Sequence, residues 1–186
     1  MENKNFKIVA AQSSIDWIGR KVIGEHNGTI ALKKGTLVLN DGKLVSGKFI
    51  IDTTSIKILD VTDPATNAQF AGHLASDDFF SSEQFPEAEF VIISATLIEK
   101  NAYNISGDLT IKSITHPIVF DAVLNIGDTL TASGKIIVDR TRYGMKFRSG
   151  NFFKDLGDAL IYNDFELNVS ITAKTISEPA AGYKLN

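Results

Sequence analysis

Segments of strand length in which apolar and polar residues alternate recur along nearly the whole chain, with little of helical period between them. The last is the cleanest: Phe165, Leu167, Val169, Ile171 and Ala173 interleave with Glu166, Asn168, Ser170 and Thr172. Successive side chains on a strand point to opposite faces, so each segment offers one face to a core and one to water, as in an antiparallel sheet. About eight such segments are separated by hairpin-length turn signals, of which Asp41-Gly42 is the strongest. Eight antiparallel strands closed on themselves leave an interior that side chains fill or that holds one small ligand. The expected fold is all-β: an extended eight-stranded antiparallel barrel with one or two short helices at its ends.

Along the chain, a strand from about Ser13 to Val22 sets Ile15 and Trp17 on one face. A turn-rich stretch from Gly24 to Gly28 leads to a strand over Thr29 to Leu39, and the next carries Val45, Gly47, Phe49 and Ile51 on one face. From Asp63 to Leu74 the β pattern breaks. Asp63 can cap, Pro64 suits a first helical turn, and Phe70 and Leu74 share a face, which predicts a short helix. The strand from Ala88 to Glu99 groups Phe90, Ile92 and Ile98 against Val91, Ile93, Ala95 and Leu97. Both faces are largely apolar, so both need cover, by core or ligand on one side and by the helix or another subunit on the other. Thr141 to Asp164 reads as a long insertion rich in glycine and aromatics. Residues 1–176 are expected to form one domain, with 177–186 a loosely ordered tail.

The 19 basic and 22 acidic residues give a net charge of −3, with no basic run, so nothing points to nucleic acid or an anionic membrane as a partner. No cysteine is present, which excludes thiolate chemistry and disulfides. No long apolar span occurs, so stable membrane insertion is not expected. The N-terminus lacks an export-signal pattern. As written the chain reads as cytoplasmic, and as periplasmic or secreted if it is a processed form.

Three histidines, His26, His73 and His116, fall near predicted turns at spacings that match no metal-ligand motif, so no metal is expected. Ser76 and Asp77 lie close to His73, but no nucleophile elbow accompanies them, and capping of a helix end explains them as well. Arg140 can bind a polar head by bidentate hydrogen bonds or form an ion pair, for instance with Asp52. Alternation nominates Trp17, Phe49, Ile51, Phe90, Leu109 and Phe120 as inward-facing.

Three stretches resemble the YceI-like family: Gly72-His73-Leu74-Ala75-Ser76-Asp77-Asp78-Phe79-Phe80 followed by Phe85-Pro86 and Ala88-Glu89-Phe90; Gly107-Asp108-Leu109-Thr110-Ile111-Lys112 with Thr115-His116-Pro117; and, earlier, Phe49-Ile50-Ile51-Asp52-Thr53-Thr54-Ser55-Ile56. The likeness extends in order from about Ser13 to Lys174. It implies a lipocalin-like barrel whose lumen holds a long isoprenoid chain, of polyprenyl or quinone type, as a carrier or store and without a cofactor. Phe79, Phe80, Phe147, Phe152 and Phe153 then join the wall candidates, and His26, His73 and Arg140 become candidates for the ligand's polar head. Two other readings stay open: an enzyme acting on such a lipid with His73 or His26 as acid or base, and a ligand-free homodimeric module using the Val91 to Leu97 face.

Overall fold

The computed structural model describes residues 3–176. The predicted tail from 177 to 186 lies outside the described residues. In chain order the elements are β1 (Asn3–Ile8), β2 (Ser14–Lys21), β3 (Glu25–Asn40), β4 (Lys43–Ile58), α1 (Pro64–Ala75), β5 (Glu87–Glu99), β6 (Ala102–Ile111), β7 (Ile114–Asn125), β8 (Thr129–Asp139) and β9 (Ile161–Thr175).

All strands pair antiparallel, and the β3–β4 ladder closes the sheet. β1 and β2 together occupy one strand position. β2 pairs with β3 over Glu25 to Ile30 and with β9 over Ile161 to Ser170, whereas β1 pairs with the other ends of the same two strands. The result is an eight-stranded antiparallel β-barrel with one short α-helix.

Hairpin chemistry sets the register. Asp41 and Gly42 both adopt positive φ, 52° and 79°, which matches the twist of the flanking strands. Lys112 and Ser113 do the same between β6 and β7 without a glycine. The helix forms as its sequence predicts: the Asp63 carboxylate accepts from the Thr66 N–H and Oγ1, and Pro64 opens the first turn.

Four expectations need correction. His26 and Gly28 are strand residues, since β3 begins at Glu25 and the tight turn is confined to the residues around Gly24. Val45 faces solvent, because a register shift in the β3–β4 ladder puts one extra residue between Leu44 and Ser46 and turns Leu44 inward instead. A bulge between Ile92 and Ser94 likewise reverses the alternation of β5. Ala95 and Leu97 therefore lie opposite the buried Ile105 and Tyr103 on the inner side, Ile98 does not share the face of Phe90 and Ile92, and the continuous Val91 to Leu97 face does not form. Finally, β9 starts at Ile161, so the excursion before it is shorter than expected.

The two ends of the barrel differ. At the end holding β1, Phe6, Leu39, Leu44, Leu124, Leu130 and Ala173 are almost wholly inaccessible and plug the interior. At the other end α1 and the segment after it fold across the opening. The β7–β8 ladder also covers only Ala122 to Asn125, so the strands part toward that end. There the turn following β8 bridges the gap: Tyr143 packs edge-on against His116 of β7, and Met145 reaches the interior.

Candidate functional site: an apolar lumen with a polar mouth

Inward positions of β2 to β9 enclose a cavity of about 260 Å³. It runs from Leu37, Leu44, Leu124, Ala132 and Ile171 at the plugged end to Arg20, Lys21, His26, Phe70 and Tyr162 at the covered end. His26 and Leu37 stand roughly 36 Å apart along β3 at about 3.3 Å per residue, or roughly 27 Å along the axis for a strand tilt of about 40°. The lining is Ile, Leu, Val, Phe and Ala almost throughout, and its charged groups gather at the mouth. Such a surface has nothing to offer a polar solute and much to offer a long hydrocarbon.

The mouth is built by the segment after α1. Thr53 at the end of the lumen is its anchor: the Thr53 N–H donates to the Pro86 carbonyl, Thr53 Oγ1 donates to the Phe85 carbonyl, and Ser82 Oγ donates to the Thr53 carbonyl. Ser76 Oγ donates to the His73 carbonyl and ends the helix, while Asp77 accepts from Ser81 Oγ. Ser76 and Asp77 are thus committed to the turn and do not form a triad with His73. The turn delivers Phe79 and Phe80 into the lumen, beside Phe70 and Leu74 of α1.

Of the wall candidates, Trp17, Phe49, Ile51, Phe79, Phe80, Phe90, Leu109 and Phe120 line the cavity. Phe147 does not. It packs edge-on against His73 and Phe79 behind the wall. Phe152 and Phe153 point to solvent, 51% and 45% exposed, because the loop that carries them hydrogen-bonds to its own Ser149 carbonyl and stands off the barrel. Met145, Ile161 and Tyr162 line the mouth and were not foreseen, since nothing in their spacing marks them as inward before the loop's path is known.

The three histidines are separate. His26 lines the mouth, bonds Asp60 through Nδ1 at 2.7 Å and meets Phe70 edge-on. His73 bonds Asp78 and lies outside the lining; His116 faces Tyr143. Among the described residues no three His, Asp or Glu side chains gather as a metal site.

Arg140 lines the cavity yet is only 3% exposed. It does not pair with Asp52, whose carboxylate is engaged by Thr54. Its guanidinium donates to the carbonyls of Met145, Ile161 and Tyr162, clamping the returning loop to the start of β9, and it lies over the Phe79 ring. Burial pushes its pKa down, partly offset by Asp139. Arg140→Met strands those carbonyls, and a loss of about 3 kcal/mol in urea unfolding is expected. A loss under about 0.5 kcal/mol would show that the clamp is not structural.

Asp60 ties the β4–α1 connection to β3. Burial pushes its carboxyl pKa up, but the Asn27 N–H, the hydrogen bond with His26 and the His26 charge together hold it below the ordinary 3.8. A carboxyl depressed in this way adds stability above its unfolded pKa and loses it as pH falls through the folded one. Asp60→Asn should therefore unfold at lower urea than the parent at neutral pH and converge with it as pH falls through the depressed folded pKa of Asp60. A constant difference between the two across that range would contradict the pairing.

The comparisons agree with this geometry. The model of the YceI-like domain family matches residues 6–173. The chain belongs to the YceI-like family. Among its relatives, an UPF0312 protein of Pseudomonas putida strain W619 is 26% identical over 60% of this chain and 56% of its own length, and one of Photorhabdus laumondii is 34% identical over 46% and 44%. The chain spans about half the length of the curated relatives it matches. Among solved structures, Burkholderia cenocepacia BcnA shares the fold with a TM-score of 0.70 at 21% identity, covering 89% of this chain and 98% of that one. A polyisoprenoid binding domain from Saccharophagus degradans follows at 0.67 and 8%, covering 92% and 98%. The Campylobacter jejuni YceI protein stands at 0.59 and 18%, covering 78% and 84%. This YceI-like chain thus keeps the barrel with very little sequence in common, as expected where alternation and volume rather than identities specify the wall.

Proposed function

We propose that this YceI-like barrel binds a long isoprenoid, of polyprenyl or quinone type, as a non-enzymatic carrier or store. The observation that carries the reading is the lumen itself: a deep, apolar cavity whose charged groups stand only at one end. Each methylene moved from water into it is worth about 0.8 kcal/mol before ordering costs, so a tail of several isoprene units supplies affinity without many polar contacts. The polyisoprenoid binding domain that shares the fold supports the choice of ligand class. Trp17, Phe49, Ile51, Phe90, Leu109 and Phe120 contact the tail, with Phe79 and Phe80 at its outer end. His26 and Arg140, joined by Arg20 and Lys21, face the polar head.

Trp17 is the chain's single tryptophan and lines the cavity, which makes its fluorescence a direct reporter. A quinone with a long prenyl tail should quench it saturably at one per protein, while the same quinone ring without a tail should not. Equal, unsaturable quenching by both would refute binding in the lumen.

A further inference from the structure

A ligand this apolar leaves water only where two apolar phases meet, so the surface around the mouth matters. Backbone bonds hold the segments there: Val22 N–H to the Leu160 carbonyl joins the β2–β3 turn to the loop before β9, Leu59 N–H to the Asn27 carbonyl ties the β4–α1 connection to the start of β3, and Ile161 N–H to the Arg148 carbonyl closes the loop on β9. The β2–β3 turn, the β4–α1 connection and this loop lie around the mouth. All three present large apolar side chains to solvent. Ile23 is 62% exposed, Leu59 61%, Phe152 51% and Phe153 45%. Side chains of this size on loop tips do no packing within the barrel.

The loop before β9 adds charge. From Arg140 to Lys154 the chain carries five basic residues and no acidic one, against an excess of acids overall. Arg142, Lys146, Arg148 and Lys154 are exposed, and none is in an ion pair among the described residues. Lys146 Nζ sits 4.9 Å from the Phe152 ring centre, so cation and apolar ring are presented together. Acids resume at Asp155 and Asp158, beyond the phenylalanines. Aromatic side chains flanked by cations are what a protein needs to seat itself in the interface of an anionic bilayer, the rings at the acyl boundary and the cations among the head groups.

We propose that the barrel docks mouth-down on anionic lipid bilayers, with Phe152 and Phe153 entering the interface and Lys146, Arg148 and Lys154 engaging the head groups. This gives the cavity proposed above a route to a membrane-borne ligand, but the docking stands on the loop alone. The sum over the whole chain hides the loop's charge. Peripheral docking of this kind uses no spanning segment, and no helix among the described residues is long and apolar enough to cross a bilayer.

The test is co-sedimentation with vesicles of phosphatidylcholine alone or mixed with an equal part of phosphatidylglycerol. The protein should partition onto the mixed vesicles, weakly onto the neutral ones, and be released by about 1 M salt, where screening shortens to about 3 Å. Phe152→Ser/Phe153→Ser and Lys146→Glu/Lys154→Glu should each lower partitioning at least about tenfold. Trp17 quenching by prenylquinone added from ethanol should be unchanged in both, so the docking and the cavity are judged separately. No partitioning onto the mixed vesicles, or equal partitioning by the variants, overturns the proposal. So does a dimer in solution that Phe152→Ser/Phe153→Ser dissociates, since the patch would then be a self-interface.

Discussion

Gly28→Ala is expected to cost about 3 kcal/mol and to lower Tm by roughly 6–12 °C, although it adds a single methyl group. A Cβ at Gly28 would stand 1.8 Å from the Lys57 carbonyl oxygen and 2.6 Å from Trp17 Cζ2. Real Cβ atoms are essentially never under 3.0 Å from a heavy atom, and here the obstacle is backbone of the adjacent β4, so a side chain cannot simply step aside. The sheet must open or Trp17 must leave the wall. Gly19 is the control, since a Cβ there meets nothing within 4 Å. Gly19→Ala should shift stability by less than about 0.5 kcal/mol, with the lower entropy of the unfolded chain working in its favour. Thermal melts of the two variants check this, and similar melts for both would contradict the close packing of β3 on β4.

The second large effect concerns the ligand. Ala88 lies on β5 opposite Ile51 near the mouth, and Ala132 on β8 opposite Leu124 near the plugged end; both line the cavity. Ala88→Trp fills the lumen where a tail must enter and should abolish uptake of prenylquinone, read as the loss of the added mass in native mass spectrometry because the variant carries a second tryptophan. Ala132→Phe fills only the far end, so it should weaken the longest tails at least about tenfold and leave shorter ones alone, each excluded methylene being worth about 0.8 kcal/mol. Because the added volume enters a cavity, each variant should lose less stability than the 1–3 kcal/mol typical of overpacking a filled core. Retention of full-length binding by Ala88→Trp would show that the chain does not lie in the lumen.

How far the sequence foretold this architecture depended on local rules remaining local. β9 pairs with β8 from Asp164 to Lys174 without a bulge, and Phe165, Leu167, Val169 and Ile171 line the cavity as alternation names them. The helix was legible because the Asp63 carboxylate and the Pro64 ring act only on the first turn that they begin. Val45 and Ile98 were misplaced because one extra residue in a ladder inverts every face beyond it, and nothing in the residue types announces the insertion. Asn27-Gly28 reads as a turn, yet Gly28 is kept from bearing a side chain by Trp17 and Lys57, contacts that exist only after folding. At the site, the alternating wall could be read from single strands. The mouth could not, because Arg20, Met145 and Tyr162 reach it from three separate places, the end of β2, the loop after β8 and the start of β9. Phe152 and Phe153, counted as wall by their chemistry, stand outside it.

The most direct test of a lipid-filled lumen is native mass spectrometry of the purified protein, followed by organic extraction and mass analysis of what is released. The account predicts one stoichiometric added mass that extracts as an isoprenoid, or that is gained on incubation with polyprenol or prenylquinone and lost in Ala88→Trp. A protein that carries no such mass and takes up neither compound would contradict it.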